Sequence, residues 1–114
     1  MKTDNVLQEL IETLKRKAFE NKANIWKRIA EDLEGSTRNR KAVNLYTISQ
    51  VLRDGEIALV AGKVLGDGEV GKVTVAAYSF SESARSKILK TGKIMTINEL
   101  LEKHPKGEKV RIIG

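Results

Sequence analysis

Apolar residues recur at helical spacing from about Asn5 to Asn21, where Val6, Leu7, Leu10, Ile11, Leu14 and Ala18 fall on one stripe. That pattern predicts a first helix. A second is predicted from Asn24 or Ile25 to Glu34, with Ile25, Ile29, Ala30 and Leu33 inward, Trp26 flanking that face and Gly35 ending it. The next stretch, STRNRK from Ser36 to Lys41, contains no apolar residue. It precedes a third helical pattern with Asn44 as its cap, Leu45, Ile48, Val51 and Leu52 inside, and Gly55 beyond its end.

After Gly55 the period changes. EIALVAGKVL and KVTVAAYSF are apolar or β-branched runs bounded by glycines, and read as strands joined by the stretch from Gly66 to Gly71. SESARSKILKTG predicts a helix capped by Ser81 and stopped by Gly92, and KIM a short strand. Thr96 and Glu99 have the spacing of a capping box, which opens a helix through about Lys103. Pro105 and Gly107 then turn the chain into a last strand in KVRIIG. Three helices followed by β-β-α-β-α-β make an α/β fold. We read one domain over residues 1–114, with a helical part at 1–54 and an irregular layered β-β-α-type core at 55–114.

The connecting stretch GDGEVGKV (66–73) matches two phosphate-binding patterns, and neither survives its context. Gly66, Gly68 and Gly71 give the spacing of a dinucleotide fingerprint, and Gly66, Gly71 and Lys72 give all but the last position of a P-loop. Both patterns need a helix to follow, so that its N-terminus faces the phosphates. Here a strand follows, Val73 stands where a hydroxyl would hold magnesium, and Asp67 and Glu69 oppose an anion. The stretch is therefore expected to be a hairpin-like connection, with Gly68 and Gly71 at positive φ and the acids in solvent.

Other chemistry is sparse. With no cysteine there is no thiol nucleophile, disulfide or cysteine-ligated metal. His104 is the single histidine, and its place at a helix end before Pro105 points to capping or exposure. Glu31, Asp32 and Glu34 read as an exposed helix end, and Ser79, Ser81 and Ser83 have no candidate base nearby in sequence. No catalytic residue, metal or cofactor is expected, and no run reaches transmembrane length. The N-terminus lacks the unbroken apolar core of a signal peptide, so the chain is read as intracellular.

Charge is more informative. A net charge of +6 favours a polyanionic partner. Lys15, Arg16, Lys17, Lys22, Lys27, Arg28, Arg38, Arg40 and Lys41 crowd into the first third, which marks the electrostatic footprint. Arg38, Arg40 and Lys41, with the hydrogen-bonding side chains of Ser36, Thr37 and Asn39, suit a phosphate backbone. Lys15, Arg16 and Lys17 also complement the dipole of the first helix, a structural reason for their presence that Lys22, Lys27 and Arg28 lack. Ser81 at a helix start, with Arg85 and Lys87 following, makes a second possible anion site, although ordinary capping explains Ser81 equally well. With aromatic content of only 4%, folded double-helical RNA read by shape and phosphates fits better than stacked single strands.

VNLYTI (43–48), GKVLGDGEVGKVTVAAYSFSESARSKI (62–88) and NIWKRIAEDLE (24–34) resemble the family of large-subunit ribosomal protein eighteen-e, of the short archaeal type and related to bacterial ribosomal protein fifteen. The resemblance implies a cytoplasmic, non-catalytic constituent of the large ribosomal subunit, with its ribosomal RNA and neighbouring ribosomal proteins as partners. It also implies that Arg38, Asn39, Arg40 and Lys41 correspond to a basic loop richer in arginine and proline among relatives. Asn39 and the missing proline bear on that loop's rigidity. Gly62, Lys63, Gly66, Ser79 and Ser81 match the family pattern. The residues expected at the RNA are thus the nine cations of the first third together with Asn39, Asn44, Lys63, Ser81 and Arg85. The competing readings are a free-standing RNA- or DNA-binding module and a nucleotide-binding enzyme built on Gly66 to Lys72.

Overall fold

The computed structural model describes residues 5–34 and 41–114. Two helices come first, α1 (Asn5–Asn21) and α2 (Asn24–Glu34), then a short strand β1 (Lys41–Asn44) and α3 (Leu45–Val51). The remainder alternates: β2 (Ile57–Leu65), β3 (Thr74–Phe80), α4 (Glu82–Leu89), β4 (Lys93–Met95), α5 (Ile97–Lys103) and β5 (Val110–Ile112). The sheet is parallel throughout. Strand β2 pairs with β3 along one side, while its other side pairs with β5 in its first half and β1 in its second. Strand β4 pairs with the first half of β3.

Burial on both faces explains why the central strands read as continuous apolar runs. Leu59, Ala61 and Ala76 face a layer that includes Leu14, Trp26, Ile29, Leu33 and Leu100 from α1, α2 and α5. Ala58, Val60, Val64, Val75 and Ala77 face the other layer, with Leu45 and Ile48 of α3 and Ala84 and Ile88 of α4. Register shifts between Val60 and Lys63, so the two halves of β2 meet β3 differently.

The predicted capping residues at the later helices act as expected. Ser81 Oγ accepts from the Ala84 amide, and Thr96 with Glu99 forms the reciprocal capping box. At the end of α1 the Ala23 amide donates to Ala18 O (3.0 Å) and the Lys22 amide to Phe19 O (3.4 Å), with Lys22 at φ 53°. This is a Schellman ending with a lysine in the left-handed position.

Six points of the sequence reading are corrected. The stretch from Gly66 to Val73 is no hairpin, because β2 and β3 run parallel. Ile57 lies opposite Thr74, so the chain must return from Leu65 along the whole of β2, about 26 Å at strand rise. Eight residues between the strands barely span that when extended, leaving no length for a helix. Of its glycines Gly68 has positive φ, at 107°, whereas Gly71 does not. Strand β1 was not foreseen, since a polar loop precedes it and only two apolar residues, Ala42 and Val43, lie within it. Trp26 is fully buried rather than flanking, and its indole N–H donates to Pro105 O at 2.7 Å. Val51 is 40% exposed, and Asn44 occupies the cap position of α3 without a side-chain capping bond.

Candidate nucleic-acid interface

A parallel sheet sends every strand start to one edge and every strand end to the other. At the carboxy-terminal edge this topology gathers residues that the sequence scatters. Asn44 pairs in register with Leu65, Lys63 lies between Ala42 and Ser79, and the Ser81 amide donates to Val64 O at 2.9 Å. Asn44, Lys63 and Ser81 therefore share one end of three adjacent strands, and Arg85 follows one helical turn beyond Ser81. Lys63 and Arg85 are exposed, and neither forms an ion pair among the described residues. Arg85 borders a groove of about 500 Å³ with Tyr78, Ser79, Phe80, Thr96 and Glu99. Asn44 Oδ1 is buried with no hydrogen-bond partner among the described residues.

Acids share this edge. Asp67, Glu69 and Glu82 are exposed here, and Lys87 is engaged internally. Its Nζ donates to Gly66 O (2.8 Å) and Gly68 O (3.0 Å) and lies 3.6 Å from Glu69 Oε1. The glycine-rich stretch is thus latched by a lysine rather than open to a phosphate. Gly66 sits so close to Ser83 that an added Cβ would lie 2.2 Å from its Oγ.

The cations of the helical hairpin do not form one patch. Lys15 and Lys27 border a groove of about 540 Å³ together with Phe19, Asn24, Glu31 and Glu34, and Lys15 Nζ is 2.8 Å from Glu34 Oε2. Arg16 and Lys17 border a different groove, of about 450 Å³, facing Asn98, Glu102 and Pro105, and Lys17 pairs with Glu20 at 3.4 Å. Arg16, Lys22, Lys27 and Arg28 are exposed, with no ion pair among the described residues. Arg38, Asn39 and Arg40, with the rest of the basic stretch from Gly35 to Arg40, lie outside the described residues. The backbone of Lys41 opens β1 opposite Gly62.

One set of exposed cations was not expected at the RNA from sequence, where Lys72 was weighed only as the lysine of a P-loop pattern. Arg53, Lys72, Lys93 and Lys109 stand before or at the starts of β2, β3, β4 and β5, and Lys90 lies at the end of α4. The signal was positional: a cation at successive strand starts becomes a cluster once the strands are parallel.

His104 caps α5, and its Nδ1 lies 3.5 Å from Glu108 Oε1. Among the described residues no three His, Asp or Glu side chains converge as a metal site would require, and no helix is long and apolar enough to cross a membrane. A small parallel α/β body with exposed cations along its margins offers surfaces suited to a polyanion. The chain belongs to the family described as ribosomal protein 60S L18 and 50S L18e, whose profile matches residues 2–114. It is 45% identical to the large ribosomal subunit protein eL18 of Methanococcus maripaludis, over 100% of this chain and 97% of that one. The proteins of the same name from Methanosphaerula palustris and Methanoregula boonei are 48% and 47% identical, each over 98% of this chain and 94% of the relative. The family is one of structural proteins, not enzymes.

Proposed function

We propose that the chain is a structural constituent of the large ribosomal subunit in the cytoplasm, binding folded ribosomal RNA with cations at the margins of its sheet and helical hairpin. The observation that carries this reading is the row of Asn44, Lys63, Ser81 and Arg85 at one sheet edge in a chain whose whole length matches a ribosomal family. Arg16, Lys22, Lys27, Arg28 and the stretch Arg38 to Lys41 supply further phosphate contacts in this reading. Arg85 offers a planar fork to a phosphate, Lys63 a flexible point charge, and Asn44 a neutral hydrogen-bonding group. Neighbouring ribosomal proteins complete the surroundings, and kinship with bacterial ribosomal protein fifteen belongs to the same proposal.

The test is co-sedimentation of the full chain with large subunits after a high-salt wash, followed by a salt titration of its binding to large-subunit RNA. Retention on the subunit is the expected result. Replacing Arg38, Arg40 and Lys41 with alanine should weaken RNA binding and lower the slope of log K against log salt by about 2 to 3, close to one per lost phosphate contact. A chain that washes off quantitatively yet binds RNA or DNA alone is a free-standing module, and the ribosomal reading then fails.

A further inference from the structure

We propose that the amino-terminal edge of the sheet is a second RNA-backbone surface, carried by Lys72, Lys90, Lys93 and Lys109. The inference rests on the reading of the chain as an rRNA-binding protein and adds a contact surface that reading does not use. The strands place these residues together although they are far apart in sequence. Lys93 pairs in register with Thr74, Thr74 with Ile57, and Ile57 with Val110, so the starts of β4, β3, β2 and β5 form one row. Three inter-strand spacings make that row about 14 Å across. Lys93 is at one end of it, Lys109 immediately precedes the other end, and Lys72 stands two residues before Thr74. Helix α4 returns from the opposite edge and delivers Lys90 three residues before Lys93.

All four lysines are exposed, and none forms an ion pair among the described residues. Of the acids nearby, Glu56 accepts from Arg111 Nε (2.7 Å) and Nη2 (2.8 Å). Two exposed acids remain: Glu108, whose partner His104 balances it only when protonated, and Asp54 beside Arg53, in a groove of about 260 Å³ between the start of β2 and Lys72. Four outward cations on a row this short create a local positive field that a polyanion answers better than a neutral or mixed surface.

The backbone beneath the lysines is fixed in advance. The Lys93 amide donates to Val73 O (2.9 Å), the Ile57 amide to Lys109 O (2.8 Å), and Thr91 Oγ1 to Gly71 O (2.8 Å). Gly92 approaches Val73 so closely that an added Cβ would lie 2.0 Å from its carbonyl oxygen. Only side-chain freedom is left to lose on binding. RNA is favoured over an acidic protein segment because a phosphate backbone offers evenly spaced charges along a line.

The test uses the full chain and protein-free large-subunit RNA. Replacing Lys72, Lys90, Lys93 and Lys109 together with glutamine removes the charge and leaves a shorter, unbranched polar side chain at each position. At about 0.1 M salt the affinity should fall at least tenfold, and the slope of log K against log salt should shrink by about 3. Unchanged affinity and slope overturn the proposal. A second arm exploits the absence of cysteine. A hydroxyl-radical probe is tethered at Lys93→Cys or, on the opposite edge, at Lys63→Cys, and RNA cleavage is mapped in reconstituted subunits. Separate cuts from both positions are expected. Cuts from Lys63→Cys alone, or modification of a neighbouring protein instead of RNA from Lys93→Cys, overturn the second surface while leaving the proposed function intact. Failure of the unsubstituted chain to bind the RNA overturns both.

Discussion

At the carboxy-terminal edge Lys63 and Arg85 stand among Asp67, Glu69 and Glu82, whereas at the amino-terminal edge the four lysines Lys72, Lys90, Lys93 and Lys109 outnumber the exposed acids Asp54 and Glu108, with Glu56 held by Arg111. The same residue types therefore serve different physics. Mixed charges within a screening length of about 8 to 10 Å partly cancel at a distance, so the first edge contributes through local geometry. Like charges in a row add, so the second contributes attraction at longer range and a stronger response to salt. Parallel topology produces the difference, because the turn after β2 brings its acids to the strand ends and the segments entering β3, β4 and β5 bring lysines to the strand starts.

The largest effect expected from disturbing either edge comes from its glycine. Gly92→Ala places a Cβ 2.0 Å from Val73 O, a backbone atom that also accepts from Lys93, so strands β3 and β4 must separate. We expect a loss of about 3 kcal/mol, read as a fall in the urea midpoint and a melting temperature lower by on the order of 10 °C. On the opposite edge Gly68→Ala meets both the strain of φ 107° and the Tyr46 amide nitrogen at 2.5 Å, and should cost nearly as much. The two differ in a way that sharpens the comparison. At a temperature where both variants stay folded, Gly92→Ala should also lower RNA affinity by displacing Lys93, and equal affinity for the two variants would remove that link.

How much of this was legible beforehand varies with the kind of signal. Helices α1, α2 and α5 and strand β4 follow from apolar period, caps and punctuation, all of which act within a few residues. Strand direction does not. Nothing local in GDGEVGKV distinguishes a return between antiparallel strands from a crossing between parallel ones, since both need glycine and polar residues. Strand β1 escaped for a related reason: Lys41 to Asn44 is a strand because Gly62 to Leu65 offers it a partner. The gathering of Asn44, Lys63, Ser81 and Arg85 is a consequence of register, and a reading along the chain could name them without seeing that they are neighbours. Windowed charge misled in the same way. Residues 58–114 carry ten Lys and Arg against six Asp and Glu, an excess that the crowding of cations in the first third conceals, and only the fold sorts these groups to different edges.

A smaller effect should follow from releasing the latch at the carboxy-terminal edge. Lys87→Met removes the donor to Gly66 O and Gly68 O while keeping most of the alkyl bulk, and two carbonyls lose a charged partner at a site still partly open to water. A destabilisation of about 1 to 2 kcal/mol is expected. Its distribution is the sharper readout. Hydrogen exchange should quicken at the Tyr46 amide, which donates to Asp67 O at 2.9 Å, and stay unchanged at the Lys93 and Ile57 amides of the other edge. Faster exchange at both edges would mean that the sheet transmits the disturbance and that the two edges are not independent.

The smallest effect concerns pH at the amino-terminal edge. Hydrogen bonds from the Arg111 guanidinium, and next from the Arg53 amide, hold the Glu56 carboxyl below its ordinary value of 4.5. As acid is added, the unfolded chain therefore takes up the proton at this position before the folded one does. The stabilisation is complete above about pH 4.5, where the unfolded carboxyl is ionised, and is lost as pH falls through the depressed folded value. Glu56→Gln should consequently narrow its gap from the unsubstituted chain as urea midpoints are followed downward from about pH 6 to 3. Glu99, held low by the Thr96 amide of the capping box, titrates in the same direction and is present in both chains, so it cancels in the difference. Arg111 is freed when Glu56 becomes neutral, which adds one cation to the lysine row. RNA affinity of Glu56→Gln at neutral pH should then rise slightly, by less than about threefold, and a fall instead would show that the ion pair's geometry, rather than the charge of the edge, is what the RNA meets.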